Sequence, residues 1–282
     1  MRILNEPLFS LVMSTLGRTE EIPRLFDSLI AQTCQDFELI VVDQNEDDRL
    51  DEILSDYADR LPVRRIRSER GLSRGKNAGI DESRGRIIGF PDDDCTYPPT
   101  LLARVAAFLE THPEYAALTG RPIDSDWYST EAREITPNNV WNHGVEYTYF
   151  LRRSLTTQVR FDPTQGVGAG TAFWGAEGPD LLLSAIRAGM KLYYHPEIAA
   201  YHPGPVRADL QFENRRLRTY HYNLGKGRLL GRYRYPLWYV AYTCIRPGVG
   251  GLTQLLRGQC DEAYLRWQAA AALARGWKGC TS

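Results

Sequence analysis

The chain reads as an α/β protein built on a mostly parallel, doubly wound sheet with helices on both faces, and three observations predict it. From Leu8 to Phe90, apolar runs of strand length alternate with stretches of helical periodicity. Leu8 to Met13 and Phe37 to Val42 are largely apolar runs rather than alternating ones, the pattern of parallel strands buried on both faces. Polar clusters fall where those runs end, at the edge where open α/β sheets bind ligands.

Leu8 to Met13 is the first apolar run, and Thr19 to Thr33 follows with Ile22, Leu25, Phe26, Leu29 and Ile30 on one helical face. Phe37 to Val42 is the second strand, Leu50 to Ala58 a helix, Val63 to Ile66 a strand, and Ser73 to Glu82 a helix before the strand that ends at Phe90. A helix is expected to start near Pro98 or Pro99. This βαβαβαβ order implies crossover connections and a ligand crevice at the strands' C-terminal ends.

What falls at those ends is chemically specific. The first strand ends in a turn, Ser14-Thr15-Leu16-Gly17-Arg18, the second in Asp43-Gln44-Asn45, and the fourth in Asp92-Asp93-Asp94. Three adjacent carboxylates repel one another unless a cation offsets them, so the triplet is a candidate metal site; the plainer reading is an acidic turn capping the next helix. Between them, Gly71-Leu72-Ser73-Arg74-Gly75-Lys76-Asn77-Ala78-Gly79 opens a helix with two cations, which suits an anion or carboxylate partner for Lys76. In the alternative, the glycines only bring the helix close to the sheet and the two cations are solvated.

Length and charge bound the rest. The 282 residues allow a large α/β domain with an appendage. The formal net charge of -1 hides an asymmetry, because the segment from Arg207 to Arg257 is strongly basic and holds only Asp209 and Glu213 as acids. Five scattered cysteines form no metal-ligand spacing and suit a reducing cytosol. Met1 to Pro7 lacks the apolar core of a signal peptide, so an untargeted N-terminus is expected.

The Ser14-Thr15 turn, Ile40-Val41-Val42-Asp43, Gly71-Leu72-Ser73 with Lys76-Asn77-Ala78-Gly79, and Phe90-Pro91-Asp92-Asp93-Asp94 together resemble, in order and spacing, the family 2 glycosyltransferases with a GT-A fold. The likeness extends to about residue 204. It implies a GT-A domain over 1–206, with a nucleotide-sugar half (1–120) and an acceptor half (121–206), followed by a basic, aromatic-rich helical extension over 207–282. By the same resemblance, Asp92 and Asp94 end the Asp-x-Asp motif that binds the donor diphosphate through Mn2+ or Mg2+. Asp43 is the base-contacting acid, Thr15 and Arg18 line the nucleotide pocket, and Lys76, Asn77 and Asp93 belong to the donor side. Asp93 is expected to point away from the metal, since side chains alternate in extended backbone.

The second half must supply the base that deprotonates the acceptor. Gly166-Val167-Gly168-Ala169-Gly170-Thr171 superficially matches a dinucleotide loop, but it does not follow the first strand, and that reading is rejected. Trp174-Gly175-Ala176-Glu177-Gly178-Pro179-Asp180 resembles the family's Glu-Asp motif, with Gly178 where the usual Asp would stand. Glu177 and Asp180 are therefore the candidate bases. Asp180 is placed in the first turn of the following helix and Glu177 in the loop before it, free of the helix dipole. In the family, a His closing a later strand lies near the metal, and His202 matches it; His195 reads as structural.

Beyond Arg207, basic residues interleave with Trp and Tyr, and the apolar stretch is too broken to span a bilayer. An amphipathic anchor on an anionic membrane face is expected, with packing on the core as the alternative. No nucleic-acid motif accompanies the basic patch. The resemblance thus implies an inverting, metal-dependent transferase of bacterial surface-polysaccharide type. It would move a sugar from a nucleotide diphosphate, UDP by expectation, to a glycan or polyprenyl-linked hydroxyl on the cytoplasmic side of the plasma membrane. A nucleotidyltransferase would need a glycine-rich basic loop after the first strand, and Ser14 to Arg18 is a poor version of one. A catalytically silent subunit of a glycan-assembly complex stays open because of Gly178. Sugar and acceptor choice falls to the loops between Gly120 and Thr171, where Trp127, Trp141, His143, Tyr147 and Tyr149 either stack on sugars or fill core.

Overall fold

The computed structural model describes residues 6–203 and 211–279. The chain forms two compact units: Met1–Phe161 with Leu181–Pro203, and Asp162–Asp180 with Gly204–Ser282. The 206/207 boundary expected from sequence lies outside the described residues, and 162–180 group with the C-terminal helices.

The first unit holds one eight-stranded sheet of order β3-β2-β1-β4-β7-β5-β8-β6. Its strands are β1 (Phe9–Thr15), β2 (Phe37–Asp43), β3 (Val63–Arg67), β4 (Ile87–Gly89), β5 (Tyr115–Pro122), β6 (Arg133–Glu134), β7 (Phe150–Arg152) and β8 (Lys191–Ala200). Strands β3, β2, β1 and β4 are parallel, as the apolar runs predict. β7 enters antiparallel between β4 and β5, so the sheet is mixed but mostly parallel in its first half. β8 is one strand with two register shifts against β5.

Helices cover both faces, and two further short ones, α2 (Asp51–Tyr57) and α5 (Arg153–Thr156), belong to the same unit. Phe9, Leu11 and Met13 of β1 join Leu25, Phe26 and Leu29 of α1 (Ile22–Ile30) and Leu102 and Val105 of α4 (Leu101–Thr111) in the main core. Burying each such side chain contributes about 1.5–3 kcal/mol. The opposite face of the sheet is met by α3 (Leu72–Glu82), where a Cβ on Gly79 would lie 2.2 Å from Val12 Cγ1 and one on Gly75 would lie 2.7 Å from Ser14 Oγ. The glycines of the Gly71–Gly79 segment thus bring the helix onto the sheet, as the second reading of that segment proposed, yet Lys76 is 2% exposed rather than solvated.

Three local expectations change. Ser14 and Thr15 end β1 instead of forming a turn, and α4 starts at Leu101, beyond Pro98 and Pro99. Helix α6 (Glu177–Arg187) begins at Glu177 itself, so Glu177 and Asp180 share its first turn, and the dipole argument that separated them no longer does.

In the second unit, α7 (Phe212–Arg232), α8 (Leu237–Leu256) and α9 (Cys260–Lys278) pack through glycine. A Cβ on Gly227 would lie 2.2 Å from Leu273 O, and one on Gly276 would lie 2.2 Å from Leu224 O, so α7 and α9 approach backbone to backbone. On α8 the side toward α9 is likewise small: Trp267 Nε1 donates to Gly248 O at 3.1 Å, and Gly251 lies under the same indole. Among the described residues no helix is long and apolar enough to cross a membrane.

Candidate functional site

The C-terminal edge of the parallel strands gathers the predicted polar residues. Thr15 pairs in register with Asp43, and Asp43 with Arg67, so three strands end in one polar row. Phe90 and Pro91 leave the β4 ladder and lead into the triplet, which turns back through Cys95 N–H donating to Asp92 O at 3.2 Å. An antiparallel bridge between Thr96 and Tyr201 then ties this turn to the end of β8. The bridge is what carries His202, remote in sequence, to the triplet.

His202 Nε2 lies 3.0 Å from Asp94 Oδ1 and 3.6 Å from Asp92 Oδ2. One donor atom from each of Asp92, Asp94 and His202 fits within a 4.8 Å span. The imidazole stacks on Tyr147, with ring centroids 4.8 Å apart. Its Nδ1 lies 2.8 Å from Pro203 O. A proton on Nδ1 makes that contact a hydrogen bond and leaves the Nε2 lone pair facing the carboxylates, the arrangement a metal-binding imidazole needs. Asp94 Oδ1 is buried without a hydrogen bond. Two carboxylate oxygens and one imidazole nitrogen, with positions left for further oxygens, fit Mn2+ or Mg2+, and the nitrogen favours Mn2+.

Electrostatics separate the three acids. Desolvation pushes the Asp92 carboxyl up to about 6, against the pull of Lys76 and His202 and with Glu146 and Asp94 adding to it. Burial also raises Asp93, opposed by a hydrogen bond from Thr15 Oγ1 at 2.7 Å and by Arg18 Nη1 at 2.6 Å. For Asp94 burial works upward, but the His202 contact and then Arg18 outweigh it and hold the carboxyl below its usual range. Burial lowers His202, but Asp94 and then Asp92 outweigh it and raise the imidazole above its usual value. Asp93 is thus engaged by Thr15 and Arg18 and lies outside the Asp92, Asp94 and His202 cluster.

Asp43 is fully buried at the end of β2. Its Oδ1 accepts from Asn45 N–H at 3.0 Å and from Asn45 Nδ2 at 2.8 Å, while Oδ2 has no hydrogen bond and faces Arg67 Nη1 at 3.2 Å. Lys76 forms an ion pair with Glu146 and sits over the Phe161 ring. The Asn77 carboxamide exchanges two hydrogen bonds with the Phe161 backbone, which commits both its polar atoms.

Glu146, which the sequence did not single out, meets Lys76 here, and Tyr147, read from sequence as sugar-stacking or core, meets His202. Glu146 and Tyr147 sit in a short 3-10 turn (Glu146–Thr148) with no motif around them, and only the tertiary pairings with Lys76 and His202 reveal them. His143 and Tyr149 fill core, whereas Trp127 is 57% exposed.

The candidate bases belong to the second unit, where α7 grips the loop before them. Trp174 stacks on His221 at 4.1 Å, and His221 Nδ1 contacts Ala172 O at 2.8 Å. Gln165 Nε2 donates to Gly175 O at 3.0 Å, and a Cβ on Gly225 would lie 2.4 Å from that same oxygen. Ala176, next to Glu177, holds φ at 73°, a left-handed conformation that costs a non-glycine residue about 1 kcal/mol. Asp180 is 2% exposed and accepts from Tyr233 Oη at 2.7 Å and Arg232 Nη1 at 3.1 Å. Burial raises its carboxyl, with Tyr233 and Arg232 pulling the other way.

Comparison with known proteins bears on the family and the fold. The chain is 36% identical over 110 residues to a PGL/p-HBAD biosynthesis glycosyltransferase of Mycobacterium bovis, a match covering 38% of this chain and 43% of that protein. The matched stretch therefore spans less than half the length of that relative. Among solved structures, residues 1–349 of S. aureus TarS align over 93% of this chain and 90% of theirs, with a TM-score of 0.61 at 18% identity. The mannosyltransferase PcManGT from Pyrobaculum calidifontis, solved with GDP-Man and Mn2+, aligns over 95% of this chain and 87% of its own, with a TM-score of 0.60 at 15% identity. These likenesses show the GT-A fold. The description "Glycosyl transferase family 2" matches residues 10–172, more than half of the 282 residues and including every strand-end cluster on the β1, β2 and β4 edge; the chain belongs to that family.

Proposed function

We propose that the protein transfers a sugar from a nucleotide diphosphate donor, with inversion, to the hydroxyl of a glycan or a polyprenyl-linked glycan. The observation that carries this reading is the Asp92, Asp94 and His202 cluster at the parallel strands' C-terminal edge. Asp92, Asp94 and His202 would hold a divalent cation, Mn2+ or Mg2+, which would supply positive charge against that of the diphosphate leaving group. Asp43, at the end of β2 and paired through Oδ2 with Arg67, marks the nucleoside side, while Thr15 and Arg18 position Asp93 and Asp94. UDP is the donor nucleotide in this reading. The S. aureus TarS fragment, solved with UDP and with UDP-GlcNAc, supports it, while the GDP-Man complex of the archaeal neighbour keeps GDP as the competitor.

Glu177 is the base in this reading. Asp180, the other acid of the motif, is neutralised by Arg232 and Tyr233, which suits a structural anion and not a proton acceptor. Direct displacement with a single base gives inversion. The protein works as a peripheral enzyme on the cytoplasmic face of the plasma membrane, where polyprenyl-linked acceptors are found.

Nucleoside diphosphate release from a panel of UDP-, GDP-, CDP- and TDP-sugars with Mn2+ tests the proposal. Release from one class, with the opposite anomeric configuration in the product by NMR, is expected. A folded protein that releases none overturns it.

A further inference from the structure

The outward face of α8 is inverted for a water-soluble helix. Trp238, Tyr242, Ile245, Val249, Leu252 and Leu256 follow one another at steps of four, three, four, three and four residues, which is one stripe of a helix. Each is between 53% and 88% exposed. At 1.5 Å per residue the helix offers about 30 Å of apolar edge. Its opposite side is the glycine-rich one that meets α9 through Gly248 and Gly251. A stripe of this size facing water marks a docking surface.

Charge selects the occupant. Between Glu213 and Asp261 the sequence has no Asp or Glu, and of its nine basic residues Arg215, Arg216, Arg228 and Arg232 pair with acids outside that stretch. Arg234, Arg246 and Arg257 are exposed at the start, middle and end of the stripe. A second copy of the chain fits poorly: a twofold interface would bring α8 onto α8, two cationic faces without a carboxylate between them. An anionic lipid surface supplies both partners, acyl chains for the stripe and headgroup charge for the arginines. Trp238 and Tyr242 are the residue types that settle at the interface.

We propose that α8 lies in the plane of an anionic bilayer, with the Trp238 to Leu256 stripe inserted at the headgroup boundary and Arg234, Arg246 and Arg257 against the phosphates. The helix is too polar and broken to cross. The proposal rests on the peripheral-membrane part of the function above and specifies the surface that makes contact.

The test is flotation of the full chain with vesicles of phosphatidylcholine and phosphatidylglycerol, compared with phosphatidylcholine alone, and with the variant Ile245→Glu/Leu252→Glu. Both side chains are more than half exposed, so the variant keeps its fold, which circular dichroism and UDP-Mn2+ calorimetry on the same preparation verify. Expected are flotation with the anionic vesicles, weakening with added salt, and a loss of at least about ten-fold in the variant. No flotation of the wild type overturns the proposal, as does undiminished binding by the variant. A dimer of the wild type that becomes monomeric in the variant would assign the stripe to a second copy and overturn it as well. Loss of nucleotide binding with flotation intact would count against sugar transfer and leave the α8 surface standing.

Discussion

Asp94 and Asp180 are both buried carboxylates facing arginine, yet their surroundings differ in kind. Asp94 keeps one oxygen without a hydrogen bond, 3.0 Å from an imidazole nitrogen and within 4.8 Å of the Asp92 and His202 donors. Asp180 has its oxygens taken by Tyr233 and Arg232. Burial and a nearby arginine therefore do not mark a reactive acid. What distinguishes a ligand-ready carboxylate is the convergence of several donors on one open point, and what distinguishes a structural one is completed pairing.

The sharpest way to break this contrast is to exchange the fates of the two acids. Asp94→Ala should lower sugar transfer at saturating Mn2+ by about a thousand-fold, the scale of losing charge stabilisation in the transition state. Initial rates of nucleoside diphosphate release measure it, and a variant still stimulated by Mn2+ would break the metal assignment. Glu177→Gln should lower kcat by about a hundred-fold or more with donor affinity kept, since the amide cannot take a proton. Asp180→Asn should instead act on folding, with a loss of roughly 1–3 kcal/mol in denaturant titrations as the charge facing Arg232 disappears. An Asp180→Asn protein that is stable but inactive, beside an active Glu177→Gln, would reverse the two roles.

The smallest effect concerns the helices that carry the base loop. Burial, with Arg246 adding, pushes the Lys226 amine down to about 8. Between that value and the unfolded value of 10.5, the unfolded chain binds more protons than the folded one, so stability rises with pH across the window. Below about 8 the ammonium is charged in both states and the full burial cost is felt. Lys226→Met should be more stable than the wild type near neutral pH and lack the rise. Urea titrations at neutral and alkaline pH read both, and a wild type whose stability is flat across that window would contradict the burial of this amine.

How much of this was legible in the sequence follows the range of the interactions. Of the parallel half of the sheet, β2, β1 and β4 are written in short apolar runs separated by helical periods, and the strand-end acids announce themselves by their cost. His202 was reachable only through the family resemblance, because the Thr96–Tyr201 bridge that delivers it joins distant segments. Glu146 had no local signal at all: its meaning comes from Lys76, and a 3-10 turn has no period to read. The base loop was misread for a related reason. The sequence reading puts Pro179 in the helix's first turn and Glu177 in the loop before it, whereas the helix starts at Glu177 with Pro179 still in that turn, where its missing N–H leaves no bond unmade. The support that α7 gives to 162–180, through His221 and Gly225, depends on contacts across dozens of residues and leaves no local pattern.

The central claim is that Asp92, Asp94 and His202 form a cation site that recruits a nucleoside diphosphate. Isothermal titration of UDP and GDP into the purified protein, with Mn2+ and then with a chelator, tests it most directly, with Asp94→Ala as the partner sample. The account predicts binding of one nucleotide that needs Mn2+ and is lost both with the chelator and in the variant. Equal binding with and without metal, or binding unchanged by Asp94→Ala, would contradict it and return the Asp triplet to the status of an acidic turn.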